Sequence, residues 1–214
     1  EKAMEKFVVQ IQYNILKEQA KKLVKGLGVT RDRSVIKALK ELVQEKSAEV
    51  FIGLNEEQQM LIDRVLELEN KEQLEVYLAE AKNYVIPFPE ITGQTIKKFF
   101  PKDKKLKAPK LTVEERSSIV YFCITDIGTN RKYIIYENAG ELFGRRGTYG
   151  NQVKKGICAI CNHLEEVTLF MMNSKKGSEG TFTKQGNTIC MDSIKCNENI
   201  TDSTKLTEFF GNVK

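Results

Sequence analysis

Four cysteines near the end of the 214-residue chain, Cys158, Cys161, Cys190 and Cys196, are the residues whose type and spacing best support chemistry. They form two tight pairs separated by 28 residues. Each pair can supply two thiolates from one turn, and the intervening chain returns the second pair to the first. Zinc takes such sets tetrahedrally, and four thiolates leave no open coordination position. The expected chemistry is therefore structural Zn2+ binding and not metal-assisted hydrolysis. Paired cysteines without a secretory signal suit a reducing, cytoplasmic setting, where they bind metal more often than they form disulfides. The single histidine, His163, lies two residues past Cys161 and reads as a bystander, because the thiolate set is already complete. Cys123 sits in an apolar, β-rich run and reads as a small buried hydrophobe. One histidine, with carboxylates scattered along helix faces, makes no acid–base or nucleophilic constellation, so no enzyme is expected.

The elements that must position these thiols follow from local pattern. Lys155 to Cys161 has the look of a zinc knuckle, with Gly156 allowing a tight approach. Glu166 to Asn173 reads as a strand, Ser174 to Gly180 as a mobile turn, and Thr181 to Cys190 as the returning strand. Leu206 to Phe210 suggests a terminal helix. Knuckle, hairpin and helix in that order describe a treble-clef finger. Cys190 and Cys196 are six residues apart, about 120° on an ideal helix, so a turn should fall between them. Upstream, Ser118 to Asp126 and Lys132 to Glu137 are β-rich runs joined at Ile127 to Arg131, and Asn138-Ala139-Gly140 is a second turn. Gly144, Gly147 and Gly150 surround Arg145-Arg146 at a spacing that fits no phosphate-loop signature and reads as a glycine-rich turn.

The first 90 residues carry apolar groups at helical spacing in four segments. Phe7, Ile11, Ile15 and Leu23 mark the first, stopped by Gly26 and Gly28. Thr30 can cap the second, through Val35, Leu39 and Val43. Asn55 caps the third and Asn70 starts the fourth, through Leu74 and Tyr77. Short connections between amphipathic helices make a bundle the natural solution. The fold class expected is α+β: a four-helix bundle over 1–90, a basic linker with a short helix over 91–110, and a mixed α/β domain with a four-cysteine treble-clef zinc finger over 111–214.

Hydrophobic content of 41% and charged content of 29% are ordinary for a globular chain. No apolar run is long enough to span a membrane. Glu1-Lys2-Ala3-Met4 has no apolar signal core and reads as a chain that has lost its native start. The net charge of +5 is concentrated in the middle. Residues 1–90 hold 14 Lys/Arg against 16 Asp/Glu, and residues 111–214 hold 13 against 12. Residues 91–110 hold seven lysines (97, 98, 102, 104, 105, 107 and 110) against Asp103 alone. That segment could steer the chain toward an acidic or RNA-rich partner, or be a solvated linker.

Asn130 to Tyr136, Asn151-Gln152-Val153, Lys155 to Asn162 and Ile189 to Asn197 closely resemble the fusidic-acid-resistance (FusB-type) proteins that bind elongation factor G. The likeness spans roughly residues 117–214; upstream it rests on helical layout and on Tyr84-Val85-Ile86-Pro87-Phe88. It implies a C-terminal zinc domain that grips the C-terminal domains of elongation factor G, a monomer, and release of the factor from ribosomes stalled by the drug. Direct nucleic-acid contact is not expected on this reading. Phe209 matches a position used for partner contact in the family. Lys184 lies where the family carries a basic pair, although its neighbour here is Gln185. Ile157 and Thr188 replace two aromatic family positions, which implies weaker binding if those rings are anchors. The alternative is a zinc-finger RNA- or ribosome-binding protein that uses Lys97 to Lys110 and Arg145-Arg146.

Overall fold

The structure, a computed structural model, describes residues 4–176 and 182–211; the side chains of 173–185 lie outside that description. The chain divides into two compact units, Glu1–Ile86 and Pro87–Lys214.

Helices α1 (Gln10–Val29), α2 (Arg33–Val50), α3 (Glu56–Asp63) and α4 (Lys71–Lys82) build the first unit, and α3 runs on into a 3-10 turn at Arg64–Glu67. Their apolar stripes meet in one cluster that includes Leu16, Leu23, Val43, Ile62, Val65 and Tyr77. The Tyr77 hydroxyl, deep in that cluster, donates to the Ile62 carbonyl at 3.2 Å, so its polar atom is not left unpaired. Asn55 and Asn70 cap α3 and α4 by accepting from Gln58 N and Gln73 N. At α2 the cap is Asp32 and not Thr30. Its carboxylate accepts from the Ser34 and Val35 amides, while the Thr30 hydroxyl accepts from Asp32 N. The glycines expected to stop α1 lie inside its last turns. A Cβ on Gly26 would fall 2.6 Å from Leu39 Cδ1, so this glycine lets α2 pack close and does not end the helix.

The second unit is a six-stranded sheet of antiparallel pairs. Its strands are β1 (Tyr121–Asp126), β2 (Arg131–Asn138), β3 (Glu141–Tyr149), β4 (Lys154–Ile157), β5 (Leu164–Lys176) and β6 (Phe182–Cys190). The path runs β1-β2-β3-β5-β4, with β6 also paired to β5. The turn between β2 and β3 carries positive φ at Ala139 (51°) and Gly140 (79°), the conformation a tight hairpin demands. Residues 144–149 are strand, not a glycine-rich turn. Gly144 leaves room for Phe99, whose Cβ would lie 2.5 Å from an added Cβ, and Gly147 leaves the same room for the Phe170 ring. The segment read as Ser174 to Gly180 begins as the end of β5, and residues 177–181 lie outside the described structure.

Every residue of β2 from Lys132 to Tyr136 is buried, so alternate side chains feed two faces. Tyr133 and Ile135 join Phe88, Ile91, Ile96, Phe100 and Phe122. Residues 91–110 therefore pack on the second unit, with α5 (Gly93–Phe99) and α6 (Val113–Arg116) bracketing the lysine-rich stretch. On the other parity, Tyr136 stacks on Phe210 of α8 (Ser203–Gly211), ring centroids 5.0 Å apart. The short α7 (Ser193–Asn199) precedes α8.

Candidate metal centre

The four sequence-predicted ligands come together. Cys158, Cys161, Cys190 and Cys196 are all buried, and their sulfurs lie within 4.8 Å of one another. Cys158 follows β4 directly, and Cys161 lies in the tight turn after it. Asn162 takes a positive φ of 57° and donates its amide to the Cys158 carbonyl at 2.9 Å, which closes the turn. Cys190 is the last residue of β6. Asp192 then caps α7 by accepting from Ile194 N and Lys195 N, and Cys196 sits on that helix. The break expected between the second pair is this cap.

Cys158 Sγ and Cys196 Sγ are 3.9 Å apart, and Cys161 Sγ and Cys190 Sγ are 3.7 Å apart. A tetrahedron of zinc–sulfur bonds of about 2.3 Å has edges of roughly 3.8 Å, so the donor set already has the right dimensions for one ion. Two amides, Ile160 N at 3.4 Å and Cys190 N at 3.3 Å, point at Cys158 Sγ and favour its thiolate. The neighbouring thiols, Cys161 first, hold the Cys158 thiol far below its ordinary range, while the Cys190 and Cys196 thiols are pushed far up, chiefly by Cys158. A thiolate beside a thiolate is unfavourable until a cation sits among them. The cluster can hold a metal ion, and with four protein donors it would leave no position for substrate.

The supporting residues were not evident from sequence. Asn197, next to Cys196 and 3% exposed, uses its whole side-chain amide: Oδ1 accepts from Val120 N and Tyr121 N, and Nδ2 donates to Tyr121 O and Ser193 O. It ties α7, and with it Cys196, to β1. Lys132, 1% exposed, donates from Nζ to the Met191 carbonyl at 2.7 Å, which clamps the chain between Cys190 and the cap of α7. An asparagine within a metal motif and a lysine among strand residues give no local signal of these bonds. Their partners lie 76 and 59 residues away. His163 stays outside the sulfur cluster, its Nδ1 2.7 Å from the Cys161 carbonyl. Cys123 in β1 is half-buried, and burial pushes its thiol up, away from nucleophilic use.

The sequence-predicted partner residues fall in two places. Ile157, at the end of β4, is 54% exposed, and Thr188 of β6 lies beside it. Phe209 is only 8% exposed, with its ring 6.3 Å from that of Phe170 and 4.8 Å from that of Phe210. Lys184 pairs with Asn173 in the β5–β6 ladder, and its side chain lies outside the described structure.

A helical unit therefore precedes an α+β unit that carries a closed cluster of four buried thiols. Residues 7–89 match the family described as "Elongation factor G-binding protein, N-terminal". The chain is similar to the structure titled "Structure of the fusidic acid resistance protein FusC", with a TM-score of 0.85, 29% identity, and coverage of 99% of this chain and 100% of that one. No curated protein sequence matches the chain. The chain is thus similar to elongation factor G-binding proteins over residues 7–89 and to a fusidic acid resistance protein over almost its whole length. Among the described residues, no helix is long and apolar enough to cross a membrane.

Proposed function

We propose that this protein binds elongation factor G in the cytoplasm as a monomer, and promotes release of the factor from ribosomes that fusidic acid has stalled. The observation that carries this reading is the likeness to the fusidic acid resistance protein FusC over 99% of the chain. The cysteine cluster is a treble-clef Zn2+ site, since four thiolates at tetrahedral spacing suit zinc and no open position is needed for catalysis. Its role is to hold the surface that meets the C-terminal domains of the factor, at Ile157, Thr188, Lys184 and Phe209. Ile157 faces Leu164 directly across β4 and β5, and both are exposed, so an apolar pair beside the cluster is available for contact.

Protection follows from linkage: a protein that binds the released or mobile factor more tightly than the stalled one shifts the equilibrium by that difference in affinity. Calorimetric titration with purified elongation factor G, beside the Cys158→Ser protein, tests the reading. One-to-one binding that disappears with the metal supports it, together with faster loss of the factor from drug-stalled ribosomes. Binding that survives metal loss unchanged refutes the role of the cluster, and no binding at tens of micromolar refutes the partner.

A further inference from the structure

The lysine-rich stretch 97–110 is part of the folded second unit, and its inward side chains alternate with outward ones. Phe100, Leu106, Ala108 and Leu111 pack into the apolar cluster beneath, while all seven lysines are exposed. The only acid in the stretch, Asp103, turns inward, its side chain 11% exposed. Its carboxylate accepts from Arg146 at 2.8 Å, from the Tyr133 hydroxyl at 3.0 Å and from Arg131 at 3.4 Å. Asp103 is thereby consumed in pinning the loop to β2 and β3, and offers the lysines no counter-charge. Among the described residues none of the seven forms an ion pair; Lys98 rests over the Phe99 ring. A cluster of exposed cations without protein counter-charge raises the local positive potential and attracts polyanions.

Two open grooves flank the lysine cluster, of about 910 and 710 Å³, and each is rimmed by Lys104 and Lys107. Glu90 borders one, Asp126, held by the Thr129 hydroxyl, borders the other, and the arginine-paired Asp103 lines both, so three acids stand among the seven lysines. The apolar floor is nearly closed: Ile91, Ile96 and Phe100 are 7%, 3% and 5% exposed. The largest apolar side chains of that groove are thus withdrawn from any incoming chain, and what it offers at its rim is charge. Base stacking is equally unsupported, because Phe100 is buried and Phe99 half-buried, and single strands are held on exposed rings. Clustered cations without a stacking platform match the phosphate backbone of a duplex, which is read by shape and charge and not by sequence.

We infer that the 97–110 face is a phosphate-binding surface for double-stranded RNA. The inference stands apart from factor binding, which is placed at the cysteine-stapled end of the same unit. Bound to helical RNA, this face would hold the protein near structured RNA while the other surface engages a protein.

The test is fluorescence anisotropy of the full-length, metal-loaded protein with a short blunt RNA duplex across a range of salt, beside the quadruple variant Lys102→Gln, Lys104→Gln, Lys105→Gln and Lys107→Gln. All four side chains are exposed, so the fold should survive, and the metal content and melting temperature are checked. The expected result is duplex binding that weakens steeply with salt in the parent. In the variant the affinity should fall at least tenfold at low salt, and the log–log salt slope should shrink by roughly three units. Weak, salt-insensitive binding by the parent overturns the inference, as does an unchanged variant. A variant that keeps its RNA affinity but loses affinity for elongation factor G also overturns it, and assigns the lysine cluster to an acidic protein surface.

Discussion

The Thr188 hydroxyl donates to the backbone carbonyl of Ile157 across 3.1 Å, and the Thr188 carbonyl accepts from Ala159 N at 2.8 Å. These two residues are 31 apart in sequence, yet they bridge the strand that enters the cysteine turn and the strand that ends in Cys190. The threonine is thus a clip between the two halves of the cysteine cluster. It contributes one neutral hydrogen bond, worth about 1 kcal/mol, where an aromatic side chain would contribute surface. Ile157 keeps its side chain outside while its backbone is fixed by the clip.

Ile157→Ala separates surface from scaffold. More than half of the side chain is already in water, so stability should change by no more than about 0.5 kcal/mol. Affinity for elongation factor G should fall about fivefold if this residue lies in the interface, and Ile157→Phe should raise it by restoring a ring. Calorimetry gives the affinities and thermal melting the control. Equal affinities for the three proteins would remove Ile157 from the interface.

Phe209→Ala acts differently, because the ring is buried against Phe170 and Phe210. Removing it should cost about 3 kcal/mol or more, as for other buried aromatics. Any loss of partner binding must therefore be read against a lowered melting temperature. A variant that melts like the parent while binding poorly would show that Phe209 serves the interface and not the core.

Gly147→Ala should destabilise the second unit by about 1–3 kcal/mol, since the added carbon would sit 2.5 Å from the Phe170 ring and 2.6 Å from the Met171 carbonyl oxygen. Gly93→Ala, at the start of α5 with nothing within 4 Å, is the matched control and should be neutral or slightly stabilising. Denaturant unfolding distinguishes them. Equal midpoints would mean that the strand has slack that the contact distances deny.

Local signals read well from the sequence and distant ones did not. The cysteine pairs were legible because each pair closes within one short stretch, and the caps Asn55 and Asn70 because a cap acts three residues away. Asn138-Ala139-Gly140 declared its own turn. The glycines at 26, 144 and 147 misled, because what they accommodate is a side chain from elsewhere: Leu39, Phe99 and Phe170. The stretch 91–110 looked like linker because lysine dominates its composition, whereas its place in the fold is decided by the few apolar residues between the lysines and by Asp103. Asn197 and Lys132 support the cysteine cluster through backbone atoms, and backbone partners leave no trace in residue type.

Arg64 and Glu80 form a two-pronged pair in the first unit, both bonds at 2.8 Å, and the hydrogen bonds from Arg64 hold the Glu80 carboxyl below the usual range. A depressed folded value means stability that is fully present above the unfolded glutamate value of about 4.3 and is lost as pH falls through the lower folded one. Both side chains are more than a third exposed, so screening limits the pair to about 0.5 kcal/mol. Glu80→Gln should cost that much at neutral pH, and its deficit should vanish at strongly acidic pH. A deficit independent of pH, followed by helical circular dichroism in urea, would mean that shape and not charge makes the contact.

Acid and chelators should act on the other unit. All five cysteines lie beyond residue 122, so the helical unit contains no thiol. Without a cation, the neighbouring thiols, Cys158 first, push the Cys190 and Cys196 thiols up, whereas a metal takes cysteine as thiolate. Loading a metal must therefore expel protons, and acidification must oppose it. A strong chelator at neutral pH should release one zinc per chain and lower the stability of the second unit by at least about 3 kcal/mol, because in closed thiolate sites binding energy is folding energy. The tyrosine near-ultraviolet signal of the buried Tyr121, Tyr133 and Tyr136 should collapse, while most of the far-ultraviolet helical signal from residues 10–82 persists. Acidification to about pH 5 should release the same ion without a chelator, with protons displacing it from the thiolates. A second unit that melts identically with and without the ion would mean that the cluster is a packed set of thiols and no staple at all.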